Sequence, residues 1–122
     1  MSETLFFFDT YAFFEFFYGN VNYRSYEGVS GITTIFNLAE LNYGLKKVVD
    51  RRLADELTEK YNSCLVDVSF EDIKNAADLK IKYKDLSIPD CVGYVVAKRF
   101  NVKFLTGDQG FKDLPNVEFV KK

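Results

Sequence analysis

The 122-residue chain contains no histidine and no tryptophan, and only one methionine, two prolines and two cysteines. Without histidine, Ser-His-Asp and Cys-His nucleophile pairs, His-ligated metals and a histidine general base are all excluded. Any catalysis falls to carboxylates, hydroxyls, lysines, cysteines or a metal. Cys64 and Cys91 form no CxxC pair, and no histidine completes a zinc set, so both read as buried free thiols in a reducing compartment. Long apolar runs are also missing, and the opening MSETLFFFD carries an acid where a secretory signal would be positive. A cytoplasmic protein with no membrane contact is expected.

Aromatic residues are what the chain has in quantity: 13 Phe and 8 Tyr, within 48% apolar and 28% charged residues. That is the composition of a globular chain, and its length suits one domain, so residues 1–122 are expected to fold as a single unit. A net charge of −2 argues against a protein that coats nucleic acid through bulk charge, while agreeing with a site that takes up a divalent cation.

After a polar lead-in at Glu3 and Thr4, Leu5 to Phe8 reads as a buried strand and the residues from Thr10 to Tyr18 as a helix. Gly19 to Gly28 reads as a loop and Val29 to Ile32 as a second short strand. Ile35, Leu38, Leu41 and Leu45 recur at helical spacing within a helix from Thr34 to Lys47, with Asn37, Glu40 and Gly44 on another, small and polar face. Asp50 to Tyr61 reads as an exposed amphipathic helix, Ser63 to Val68 as a strand, and Phe70 to Tyr83 and Pro89 to Phe100 as two more helices. Lys103 to Thr106 and Val117 to Val120 complete the strands. Strands alternating with helices predict an α/β fold: a single-domain, three-layer α/β/α arrangement on a mostly parallel sheet.

Four acids stand out, and each has an ordinary explanation. Asp9, inside LFFFDTYAFFEF, is well placed to cap the helix after it. Glu40 is a helical glutamate of a kind usually solvated. Asp90 completes a capping box with Ser87, and Asp108 in TGDQG suits a turn. Jointly they are harder to dismiss. In a parallel sheet ligands bind beyond the carboxyl ends of the strands, and this fold would bring Asp9, Asp90 and Asp108 to one rim with Glu40 nearby. Clustered carboxylates repel unless a cation sits among them, and an all-oxygen set selects a hard ion such as Mg²⁺ or Mn²⁺.

The segments FFFDTYAFFEF, TTIFNLAELNYGLKK and SIPDCVGYVVAKRFNVKFLTGDQGF resemble, in order, the first strand, the glutamate-bearing helix and the closing block of the PIN-domain family, in particular of the small VapC-type toxin ribonucleases of toxin–antitoxin pairs. The resemblance spans nearly the whole chain, and its closing block is the most specific part. It implies that Asp9, Glu40, Asp90 and Asp108 are the catalytic, metal-binding acids, with Thr10 and Thr106 supporting them. It further implies Mg²⁺ or Mn²⁺ as cofactor, hydrolysis of RNA phosphodiesters, an antitoxin partner and a homodimer. One departure is visible: many relatives carry D-x-D-F where this chain has Asp108-Gln109-Gly110-Phe111, which bears on a second metal and not on the first.

RNA must approach an acidic protein, and candidate phosphate contacts are Lys46, Lys47, Arg51, Arg52, Lys98, Arg99 and Lys112, each of which could equally belong to a solvated helical face. YAFFEFFY places apolar side chains all around its helix, so either another chain covers part of it, or Phe13 and Phe17 face the sheet while Phe14 and Tyr18 pack on neighbouring helices. Rival enzymes fit less well. A haloacid-dehalogenase-type phosphatase needs a second acid two residues after the first, where Tyr11 stands, and a receiver domain needs paired acids that are not visible. The alternative outside enzymology is an inactive PIN-like module that binds RNA or protein.

Overall fold

The computed structural model describes residues 5–122, so the lead-in at Glu3 and Thr4 lies outside the described residues. The elements run β1 (Leu5–Phe8), α1 (Thr10–Tyr18), a 3₁₀ turn (Val21–Tyr23), α2 (Arg24–Glu27), β2 (Ser30–Ile32) and α3 (Ile35–Lys46). They continue with α4 (Arg51–Glu59), a 3₁₀ turn (Asn62–Cys64), α5 (Phe70–Lys82), α6 (Ile88–Arg99), β3 (Lys103–Thr106), a 3₁₀ turn (Gln109–Phe111) and β4 (Val117–Phe119). The four strands pair in the order β2-β1-β3-β4, and every pairing is parallel. Helices cover both faces, which gives the three-layer α/β/α arrangement expected from the sequence.

The run of phenylalanines in β1 is explained by this double coverage. Alternate residues of a strand point to opposite faces, so Phe6 and Phe8 join α1, α3 and α4 in one core while Phe7 joins α5 and α6 in the other. Phe7 lies directly opposite Phe104 of β3, their rings stacked at 5.4 Å. Phe8 turns over Gly31 of β2, where an added Cβ would stand 2.0 Å from the ring. Gly31→Ala is therefore expected to cost about 2 kcal/mol, roughly 10 °C in Tm, because the buried Phe8 ring has nowhere to retreat. An unchanged melting curve would show that the ring can swing aside.

Two expectations from the sequence need correction. Residues 19–28 are not a loop throughout: Asn20 caps a 3₁₀ turn by accepting from the Asn22 N–H, and α2 follows. Residues 63–68 are not a strand. Only Leu65 pairs, with Thr33, and Asn62–Cys64 are coiled into a 3₁₀ turn. The apolar Leu65, Val66 and Val68 fill the edges of the two cores, and it is this packing, not a sheet ladder, that their hydrophobicity serves. In α1 the core takes Ala12, Phe13 and Phe16, while Phe17 is partly exposed and Phe14 packs over Gly44 of α3. Glu15 is buried as well, its carboxylate accepting from Asn20 at 2.8 Å.

Candidate active site

The strand order reverses between β1 and β3, since β1 leads outward to β2 while its other neighbour is β3. That reversal opens a crevice at the carboxyl ends of the two strands, the usual ligand position in open parallel sheets. Asp9 is the first residue past β1, and its N–H donates to the Leu105 carbonyl at 3.2 Å, which fixes it against β3. Asp108 lies two residues past β3, Asp90 in the first turn of α6, and Glu40 in the middle of α3.

Asp9 occupies the N-cap position of α1 with extended backbone, yet its side chain caps nothing. Oδ2 accepts from the Thr106 hydroxyl at 2.7 Å, and Oδ1 is buried without a hydrogen-bond partner. Thr106 is itself oriented by the Asp108 N–H, which donates to its Oγ1 at 3.1 Å. Burial raises the Asp9 carboxyl to about 8, the nearby Asp90 and Asp108 carboxylates add to the rise, and the Thr106 hydroxyl and the dipole of the adjacent Thr10 N–H, which forms no hydrogen bond with it, oppose it. An orphaned oxygen on a buried carboxylate costs several kcal/mol unless a proton or a cation meets it. The reading of Asp9 as a helix cap is thereby overturned.

Glu40 is held by Thr10, whose hydroxyl donates to Oε1 at 2.9 Å. The same Thr10 oxygen accepts from the Asn37 side-chain amide at 3.2 Å, and Asn37 Oδ1 accepts from the Thr34 hydroxyl at 2.7 Å. Asn37 is fully buried, so a threonine–asparagine–threonine chain locks the helix face from which Glu40 projects. Burial pushes the Glu40 carboxyl up, Thr10 offsets this, and the Asp90 charge adds to it. Asp90 forms the capping box expected from Ser87-Ile-Pro-Asp: Ser87 N–H donates to Oδ2 at 2.9 Å, and the Asp90 N–H returns to the Ser87 hydroxyl. Burial raises its carboxyl too, against the pull of Ser87. The capping and site readings of Asp90 are therefore compatible, because a box uses one carboxylate oxygen and leaves the other.

Among the described residues, no three acidic or cysteine side chains form a ready-made metal cage. The reason is visible in the hydrogen bonds. Glu40 is drawn to Thr10, Asp90 to Ser87, and Asp108 to the Gly110 N–H at 2.9 Å, as mutually repelling carboxylates would be. The four still sense one another, with Asp90 raising both Asp9 and Glu40, and Asp108 raising Asp9 and Asp90. A hard cation fits this donor set, since it is all oxygen and one buried oxygen already lacks a partner.

The basic candidates are more scattered. Lys46 pairs with Asp55 at 3.0 Å, Arg52 with Glu56 at 3.1 Å, and Lys47 lies over the Tyr43 ring. Lys98 and Arg99 end α6, about 13 Å along its axis from Asp90. Lys112 is exposed just after the turn that follows Asp108. Two contributors escaped sequence reasoning. Asn37 was seen only as a member of Glu40's face. Lys80 of α5 donates to the Lys84 and Leu86 carbonyls at 3.0 and 2.8 Å, and its charge draws the Asp90 carboxyl down. No spacing signal marks it, because the tie forms through a loop. A groove of about 670 Å³ between α5 and α6 contains none of the four acids.

Comparison with known proteins agrees with this architecture. No curated protein matches the sequence. Among solved structures, a chain of a toxin–antitoxin complex from Klebsiella pneumoniae is similar at 20% identity and a TM-score of 0.73, with 91% of this chain and 93% of that one covered. DNA-bound VapBC from Salmonella typhimurium is similar at 18% identity and TM-score 0.73, over 97% of this chain and 98% of that one. VapBC-5 from Mycobacterium tuberculosis follows at 19% identity and TM-score 0.64, covering 98% and 99%. At such identities these likenesses establish a shared fold. The sequence model of the PIN domain matches residues 6–117, nearly the whole chain, and the crevice between β1 and β3 with its acids sits inside that match. This protein belongs to the PIN-domain family.

Proposed function

We propose that this chain is a metal-dependent endoribonuclease of the VapC type, the toxin of a type II toxin–antitoxin pair, acting as one domain in the cytoplasm. The observation that carries the reading is Asp9, a buried carboxylate with one unpartnered oxygen, surrounded by the charges of Asp90, Asp108 and, through Asp90, Glu40. PIN-family membership and the VapBC neighbours support the choice of a nuclease over another cation-dependent hydrolase.

In this reading Asp9, Glu40, Asp90 and Asp108 hold Mg²⁺ or Mn²⁺, which when bound activates water and neutralises charge on the scissile phosphate. The chain's own residues do the positioning. Thr106 keeps Oδ2 of Asp9 fixed and leaves Oδ1 available to a cation, and Thr10 with Asn37 fixes Glu40. Ser87 sets the rotamer of Asp90 through two reciprocal bonds. With no histidine available, proton transfer rests on water and these carboxylates. An antitoxin and a second copy of the chain are the proposed protein partners, for which exposed apolar residues including Tyr18, Ile35 and Phe70 offer surface.

The test is incubation of the purified protein with a pool of single-stranded and structured RNAs in Mg²⁺, Mn²⁺ or EDTA. Cutting in either metal and none in EDTA is expected. No cutting in any buffer, together with no heat of Mn²⁺ binding by calorimetry, would sink the proposal and leave an inactive PIN-like module in its place.

A further inference from the structure

An acidic crevice on a chain of net charge −2 gives an RNA strand no obvious approach, and several of the basic side chains are already neutralised: Lys46 by Asp55, Arg52 by Glu56, Lys74 by Glu71 and Arg99 by Asp72. Lys121 and Lys122 belong to the basic residues without such a partner among the described residues, and both are exposed. Register places them at the rim. β4 runs parallel to β3 with Phe119 beside Thr106, and the Val120 N–H donates to the Thr106 carbonyl at 2.9 Å. Lys121 follows Val120 directly and Asp108 lies two residues past Thr106, so both leave the β3–β4 ladder at the same rim.

The residues that follow β4 are tied at successive positions. The buried Tyr23 donates its hydroxyl to the Val120 carbonyl at 2.5 Å, and the Asn22 amide donates to the Lys121 carbonyl at 3.3 Å. The Lys122 backbone N–H lies near the Tyr11 hydroxyl and lowers its pKa against the effect of burial. Tyr11 stands two residues past Asp9, and its ring presses on Gly107, where a Cβ would meet both the Val120 carbonyl at 2.4 Å and the ring at 2.5 Å. The glycine before Asp108 is thus what lets the two lysines' backbone and the Tyr11 ring close on the rim together.

We infer that Lys121 and Lys122, anchored by Tyr11, Tyr23 and Asn22, form a phosphate-binding edge that receives the RNA strand flanking the scissile bond. The inference rests on the nuclease reading for its substrate class. Two lysines at the same rim as Asp108 supply the attraction for flanking phosphodiesters that the acids themselves repel.

The experiment compares wild type, Lys121→Gln/Lys122→Gln and Lys103→Glu, the last carrying the same change in net charge at the opposite end of β3. Each is assayed for cleavage of a single-stranded RNA in Mn²⁺ across a range of NaCl concentrations, for RNA binding by anisotropy in EDTA, and for Mn²⁺ binding by calorimetry. The double variant should raise KM about tenfold at low salt, keep kcat and Mn²⁺ affinity, and flatten the slope of log affinity against log salt by about 1.4, or 0.7 for each lost phosphate contact. Lys103→Glu should leave that slope unchanged. Wild-type KM and slope in the double variant would overturn the inference, as would a joint loss of kcat and Mn²⁺ affinity, which would place the lysines' effect on the site and not on the strand. Wild type that binds RNA without cutting it, with binding weakened in the double variant, would remove the nuclease reading and keep the edge. Wild type that neither binds nor cuts would remove both.

Discussion

Asp9→Asn is expected to lower metal-dependent RNA cleavage by at least about 100-fold while making the metal-free protein more stable at pH 8, two effects of opposite sign from one atom replacement. The loss follows from the charge that Asp9 supplies to a cation. The gain follows from burial: with Asp9 at about 8 in the folded chain against 3.8 in an unstructured one, the native state holds a proton that the unfolded state has released. Between those values the native state binds more protons, so stability falls as pH rises. The contribution of this group is complete below pH 4 and lost on the way to pH 8. Burial and the Asp90 charge push Glu40 the same way, and burial does so for Asp90, so neither cancels the trend. The asparagine amide keeps the hydrogen-bonding shape toward Thr106 without charge, and the pH slope should flatten by several kcal/mol across that window.

Chemical denaturation at pH 5 and pH 8, each with EDTA and with Mn²⁺, separates the causes. Wild type should be less stable at pH 8 in EDTA and recover with Mn²⁺, because a ligand that binds only the folded state stabilises it. The Asn variant should respond much more weakly to both changes, keeping only the part that Glu40 and Asp90 contribute. If it instead melts far below wild type in EDTA at pH 8, the side chain is structural and the buried oxygen does not await a cation.

The contrast between Asp9 and Asp90 shows what was legible in the sequence. Both looked like caps. Ser87 three residues ahead of Asp90 is a local signal with a local outcome, and the box formed as its spacing predicts. Asp9 has its decisive partner, Thr106, on another strand at a sequence separation of 97, and no local pattern reports on that. The same division runs through the fold. Helices with strong periodicity or capping, such as α3, α5 and α6, lay close to their expected bounds. Residues 63–68 looked like a strand because β-branched and apolar residues fit strands and core edges equally well, and in the fold they form only the single Thr33–Leu65 bridge. In YAFFEFFY, aromatic residues on every side left the inward face undetermined until Phe8 and Tyr23 claimed Phe16, leaving Phe17 outside.

Arg99→Met is expected to cost about 2 kcal/mol, roughly 10 °C in Tm, and to leave the KM for RNA unchanged. Sequence alone made Arg99 a candidate phosphate contact, since a cation at a helix end is often free. Here its guanidinium clasps Asp72, with Nε at 3.0 and 3.1 Å from the two carboxylate oxygens and Nη2 at 2.8 Å, while Nη2 also donates to the Asp67 carbonyl at 2.7 Å. Asp72 is 2% exposed and caps α5 by accepting from the Ser69 N–H at 2.9 Å. Burial alone would raise its carboxyl, but Arg99 and Ser69 together hold it below the ordinary range, so its stabilising effect is present at neutral pH and lost in acid. Removing the arginine strands a buried negative charge, which is why the expected loss exceeds that of an exposed ion pair. Arg99→Met combined with Asp72→Leu should recover most of the stability, because the stranded charge goes with its partner. A raised KM with an unaltered melting curve would return Arg99 to the RNA-binding surface, and would mean that the strand runs along α6 to its far end instead of past Lys121 and Lys122.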